Sequence, residues 1–143
     1  MQICVEVVIM HDETIVRAFL LENYENLDLL ESALSAAEKE PNSFCLWTEL
    51  YGRIHTLRNV SRLLGFRNLA AICVEGERLV NQLERGLLTA TPDIIAALQR
   101  MVFAIHQILT NIENAGREGE RSHNDLVGTL ARLHGNAHSV AER

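Results

Sequence analysis

Apolar residues recur at helical spacing in four successive stretches, each separated from the next by proline or glycine. In the first, from about Thr14 to Lys39, Ile15, Phe19, Leu27, Leu30 and Leu34 stand three, four or eight residues apart, which lays one stripe along a helix. Glu40-Pro41-Asn42-Ser43 ends it, because proline disfavours helical backbone in the residue before it, and Ser43 is suited to cap the helix that follows. The second stretch runs from about Phe44 to Leu64. At about 100° per residue, Trp47, Leu50, Ile54, Leu57, Ser61 and Leu64 share a face, and Gly65 supplies a left-handed stop. The third runs from about Arg67 to Arg85, with Leu69, Ile72, Gly76, Val80 and Leu83 inward and Gly86 as its stop. Thr91-Pro92-Asp93 combines a capping threonine, a proline at the first helical position and an acid at the positive end of the dipole. The fourth helix then carries Ile95, Leu98, Val102, Ile105, Leu109 and Ile112 to about Ala115. Residues 116–121 are polar and glycine-containing and read as a hinge. Ser122 and Asp125 form a capping pair for a short fifth helix over about 122–134, with Leu126, Leu130 and Leu133 on one side. The last nine residues are expected to fray.

Four amphipathic helices with short connections predict an all-α fold, an antiparallel up-down four-helix bundle with a short fifth C-terminal helix. The expected organisation is an N-terminal extension of unknown structure over residues 1–12, the bundle over 13–116, and a linker with its short helix over 117–143. The opening MQICVEVVIM is apolar, but too short to span a bilayer and without the basic start and small-residue cleavage site of a signal peptide. An extra strand, a partner-binding segment and a misread start all remain open for it. No internal repeat and no glycine-rich phosphate loop is present.

Composition adds little to this picture until charge is considered. A chain of 143 residues has room for one core, and with 48% hydrophobic, 22% charged and only 5% aromatic residues it suits helices packed on aliphatic side chains. Cys4, Cys45 and Cys73 have no paired spacing, so a disulfide framework or zinc knuckle is not expected and a cytoplasmic setting without membrane insertion is. A net charge of −6 argues against nucleic acid as a partner. Between Glu49 and Arg67, however, Arg53, Arg58, Arg62 and Arg67 stand against one glutamate. Such a basic island suits either a solvated helix face or a small anion.

Histidine is the side chain to follow there. On an ideal second helix, His55 points roughly 130° away from the apolar stripe, among Tyr51, Arg58, Asn59 and Arg62. That position is wrong for a core histidine and leaves two readings, an ordinary surface histidine or a nucleophile. Glu77, on a flank of the third helix shared with Ala70, Cys73 and Val74, is either a solvated charge or a carboxylate that reaches His55 if the two helices are neighbours. In the second case it would accept the Nδ1 proton and leave Nε2 with a free lone pair, while arginines one turn away would steady a phosphoryl group. His134 and His138 stand four apart, but no third metal ligand is apparent, and no metal site is expected. His106, between Ile105 and Ile108, is expected to be partly buried. Cys73 reads as a small hydrophobe rather than a reactive thiol.

His55-Thr56-Leu57-Arg58, with Leu64-Gly65-Phe66 after it, resembles the phosphohistidine motif of histidine phosphotransfer (HPt) domains, in particular the N-terminal phosphoacceptor domain of chemotaxis-type (CheA-like) histidine kinases. Phe19-Leu20, Pro41, Leu69 with Glu77, Leu83-Glu84-Arg85-Gly86 before Leu88, Thr91-Pro92, and Glu118-Gly119 before Leu126, Leu130 and Leu133 follow in matching order over roughly residues 13–134. The resemblance implies an HPt-like four-helix bundle in a two-component phosphorelay. In it His55 is the phosphoacceptor, Glu77 orients it, Arg58 takes the place of a phosphoryl-contacting lysine, and Tyr51, Asn59 and Arg62 lie on the partner-binding surface. The implied partners are a histidine kinase ATP-binding domain, which supplies the phosphoryl group, and a response-regulator receiver domain, which takes it on an aspartate. The domain itself would bind no cofactor and act as a phosphoryl carrier, its parent chain being the kinase.

The sequence departs from the motif at three points. Arg58 replaces lysine in a chain with Lys39 as its single lysine. Asn59 and Val60 replace glycine and a small residue, and Asn59 narrows the gap above His55. Val74 replaces a second histidine that some relatives carry. These departures keep an alternative in play: a degenerate HPt-like bundle that binds kinase or receiver domains as a scaffold or inhibitor without being phosphorylated.

Overall fold

Helices α1 (Glu13–Lys39), α2 (Phe44–Leu63), α3 (Arg67–Glu84), α4 (Pro92–Ala115) and α5 (Asn124–Ala141) make up the computed structural model, which describes residues 13–141 and their side chains through residue 135. No strand occurs among the described residues. The open readings for the N-terminal segment concern residues outside them.

Local chemistry sets the breaks. The Ser43 side chain makes no capping hydrogen bond, contrary to expectation. The turn into α2 is held instead by Trp47, whose buried indole Nε1 donates to the Pro41 carbonyl at 2.9 Å. Gly65 (φ 81°) and Gly86 (φ 74°) then end α2 and α3 by one device. Gly65 N–H donates to Arg62 O and Phe66 N–H to Ser61 O; Gly86 N–H donates to Leu83 O and Leu87 N–H to Gln82 O. This paired closure needs a left-handed residue, which glycine adopts without a Cβ penalty. Thr91 caps α4 by accepting from the Ile94 N–H at 3.3 Å.

The buried residues form one core. It takes Phe19, Leu27, Leu30 and Leu34 from α1; Trp47, Leu50, Ile54 and Leu57 from α2; Leu69, Ile72, Leu79, Val80 and Leu83 from α3; and Ile95, Leu98, Val102, Ile105, Leu109 and Ile112 from α4. Helix α1 packs on α2 and α4, α3 packs on α2 and α4, and α5 lies against α3 and α4 with Leu126 and Leu130 buried. The α2–α3 contact is the most extensive. Phe66, at the corner between these two helices, rests its ring on Phe19 of α1 with centroids 5.5 Å apart.

Three expectations are corrected. Ile15 is exposed, because the first turn of α1 precedes its first buried residue, Phe19, and Val16 takes the inward side. His106 is exposed as well, its ring set edge-on to Tyr24 at 5.7 Å. Helix α5 begins at Asn124 and runs on to Ala141, past the 122–134 expected.

Segment 116–121 is fastened rather than loose. The Glu118 carboxylate accepts from the Leu69 N–H at 2.6 Å and the Asn68 N–H at 3.3 Å, filling the unpaired donors at the start of α3. The Glu118 carbonyl accepts from Asn111 Nδ2 at 2.9 Å.

Candidate functional site: an imidazole between two helices

Helix α2 carries His55 on the side away from Ile54 and Leu57, which are fully buried. Its side chain keeps 42% of its exposure. Helix α3 packs on α2 with Leu69, Ile72 and Leu79 buried in the common core, and this registry brings Glu77 to the seam. Glu77 has 12% of its side chain exposed, and its Oε1 lies 2.9 Å from His55 Nδ1. A carboxylate so sheltered requires a partner. Arg58 provides one, with Nε 2.7 Å from Glu77 Oε2. The contact is an ion pair whose N–H is not aligned as a hydrogen bond.

Arg58 Nη2 also lies 3.1 Å from His55 Nδ1, so two groups compete for one nitrogen. If Nδ1 presented a lone pair to the guanidinium, that same lone pair would face the carboxylate. If Nδ1 carries the proton, it donates a charge-assisted hydrogen bond to Glu77 while the guanidinium remains paired with that carboxylate. The second arrangement keeps both the imidazole N–H and the guanidinium on the carboxylate, and leaves the Arg58 Nη2 approach to Nδ1 as a contact without a hydrogen bond. It places the ring's free lone pair on Nε2, and Asn59 Nδ2 lies 3.3 Å from Nε2, one turn along α2.

Tyr51, one turn before, lays its ring nearly parallel to the imidazole, 15° between planes and 5.8 Å between centroids. Its phenol is held above the ordinary value, first by burial and then by the Glu77 charge, so it remains neutral at physiological pH. Arg62 is exposed. It lines a cleft of about 460 Å³ with Leu63, Gly65, Arg67, Ala70 and Val74, and no hydrogen bond or ion pair joins it to His55. Cys73, one turn before Glu77, is fully buried, and that burial, with the nearby carboxylate, drives its thiol far above the usual range.

Sequence reasoning therefore brought His55, Glu77, Arg58, Tyr51 and Asn59 to one place. It also missed a contact outside this place. His134 Nε2 meets Glu75 Oε2 at 2.6 Å, linking α5 to α3, and Glu75 also accepts from Arg78 at 3.1 Å. His134 was read with His138, whose side chain lies outside the described residues. Among the described residues no group of three or more His, Cys, Asp or Glu side chains is placed to hold a metal ion, and no helix is long and apolar enough to cross a membrane.

The sequence profile of the Hpt domain matches residues 14–115. The chain is similar to the sensor histidine kinase CheAY of Helicobacter pylori, 24% identical over 106 residues, which is 74% of this chain and 13% of that protein. It is similar also to the chemotaxis protein CheA of Listeria monocytogenes and of Listeria innocua, each 23% identical over 124 residues, 87% of this chain and 19% of each relative. The chain thus spans less than a fifth of the length of these relatives. No solved structure matches it significantly.

Proposed function

This chain belongs to the Hpt domain family, and on that premise we propose that it is a phosphoryl carrier of two-component signalling, with His55 as the phosphoacceptor. One observation carries the reading: Glu77 Oε1 at 2.9 Å from Nδ1 leaves the opposite nitrogen, Nε2, as the nucleophile on a half-exposed ring. In the forward step the Nε2 lone pair forms a bond to the γ-phosphorus of ATP held by a kinase domain. The bond from that phosphorus to the β-phosphate bridging oxygen breaks, and ADP leaves. The Nδ1 proton stays on the hydrogen bond to Glu77, whose charge offsets the positive charge gained by the ring. In the second step an aspartate oxygen of a receiver domain takes the phosphorus, the N–P bond breaks, and the electron pair returns to Nε2. Arg58 holds the carboxylate in place from the Nδ1 side of the ring.

The same reading assigns the first four helices to an antiparallel up-down bundle, supported by connections confined to residues 40–43, 64–66 and 85–91. It assigns the chain to the phosphoacceptor module of a CheA-like, cytoplasmic histidine kinase. A kinase ATP-binding domain and a receiver domain are its partners. Incubated with a cognate kinase domain and ATP, the chain is expected to gain an acid-labile, base-stable phosphate that His55→Gln abolishes. Label that persists in this variant would put the chemistry on another residue. The Asn59 contact on Nε2 favours a second reading, a binding scaffold that is never phosphorylated. Receiver-domain binding without transfer, unchanged by His55→Gln, would select it.

A further inference from the structure

The amide of Asn59 stands 3.3 Å from the nitrogen that has to attack phosphorus, on an exposed side chain of the same helix. With the Nδ1 proton committed to Glu77, Nε2 offers only a lone pair. The amide therefore presents its N–H₂ there, since its carbonyl oxygen would face that lone pair and repel it. A lone pair engaged in a hydrogen bond is not available to form a bond to phosphorus until the donor leaves. Among the described residues no other side chain hydrogen-bonds Nε2: Tyr51 lies over the ring face, and Glu77 and Arg58 are on the Nδ1 side.

We propose that Asn59 is a positioning residue that gates His55, its amide masking the nucleophilic Nε2 in the unphosphorylated carrier and having to turn away before phosphoryl uptake. The proposal rests on His55 being the phosphoacceptor. An exposed neutral hydrogen bond of this kind holds back attack by roughly two- to tenfold, so Asn59 sets a threshold rather than a block. A docking domain that offers Asn59 another acceptor would lift it, making uptake from the proper partner faster relative to adventitious donors.

The test uses the whole chain and phosphoramidate as phosphoryl donor, a molecule too small to be excluded by side-chain bulk. Its phosphorus is attacked by Nε2, its P–N bond breaks, and ammonia leaves. Asn59→Leu keeps the branched shape and removes the donor, and Asn59→Gly removes both. Both are expected to label at His55 about two- to tenfold faster than the parent. Asn59→Asp, which favours a proton on Nε2, is expected to label more slowly. The ¹⁵N resonance of His55 Nε2, recorded without any phosphoryl donor, is expected to move towards that of an unbonded lone pair in the leucine variant.

Equal labelling rates for parent and Asn59→Leu, or an unmoved Nε2 resonance, would overturn the gate while leaving His55 as the acceptor. Label that survives His55→Gln, or an absence of label in the parent and every Asn59 variant, would remove the acceptor reading and the gate with it.

Discussion

At the scale of single residues, the site depends on one carboxylate serving two partners, the imidazole and the Arg58 guanidinium. Glu77 is sheltered, holds the imidazole through Oε1 and faces Arg58 through Oε2. Glu77→Gln keeps an oxygen for the Nδ1 proton but discards the charge that selects the tautomer and offsets the ring's positive charge in attack. Phosphorylation of His55 should fall by at least about tenfold, as expected when an imidazole loses its orienting carboxylate. The same change leaves the partly buried Arg58 without a counter-charge, and a urea midpoint should register a loss of about 1–3 kcal/mol. A stable variant of unchanged rate would mean that Arg58, not Glu77, orients the ring. Cys73 gives a second residue-scale expectation. Its thiol pKa is raised, so the folded state retains a proton that the unfolded state loses above the ordinary thiol value. The stability linked to this thiol is therefore complete below that value and declines as pH rises past it. In native protein an alkylating reagent should modify exposed Cys45 and spare Cys73, which becomes reactive on unfolding. Modification of Cys73 at the native rate of Cys45 would contradict its burial.

At the scale of helices, two glycines of one sequence type have opposite roles. Gly52 lies on the exposed side of α2, and a Cβ there meets no neighbour within 4 Å. Gly52→Ala should stabilise the protein by about 0.5–1 kcal/mol through backbone entropy alone. Gly76 lies in α3 where α4 crosses, and a Cβ there runs into Sδ of Met101, itself fully buried. Gly76→Ala gains the same helix propensity but overpacks the core, which costs roughly 1–3 kcal/mol, for a net loss of stability. Thermal unfolding of the pair should move in opposite directions. A shift in the same sense for both would show that Met101 yields without cost. Position 76 matters for the site because the next residue is Glu77, and a shift of α3 away from α4 would alter the distance to His55.

At the scale of the whole chain, α5 is the element whose attachment is least evident from its own sequence. It buries Leu126 and Leu130, joins α3 through His134 and Glu75, and is led in by Glu118 on the first turn of α3. Ending the chain after Arg117 removes all three attachments. Two buried leucines alone contribute roughly 3–6 kcal/mol. The shortened chain should unfold at clearly lower denaturant while retaining phosphorylation of His55, since none of the site residues belongs to α5. An unchanged midpoint would mean that α5 contributes no packing to the fold. Loss of phosphorylation in a shortened chain that still folds would tie α5 to the site.

The helices among the described residues, the face each of the first four turns inward, and the glycines at which α2 and α3 stop were all legible in the sequence, because they follow from periodicity and from the few residues that tolerate a left-handed backbone. The outward direction of His55 followed from the same geometry. Long-range partners were beyond its reach, since periodicity fixes the direction of a side chain about its own helix axis and nothing about the neighbour it meets. Only packing decided that α2 and α3 lie side by side in a register that sets Glu77 against Nδ1, that Glu118 reaches back fifty residues to α3, and that Asn59, read from the sequence as bulk, sits on Nε2 as a donor. Local order is encoded in near neighbours along the chain, whereas the site's proton arrangement depends on distances of about 3 Å between separate helices, which exist only once the core has set their positions.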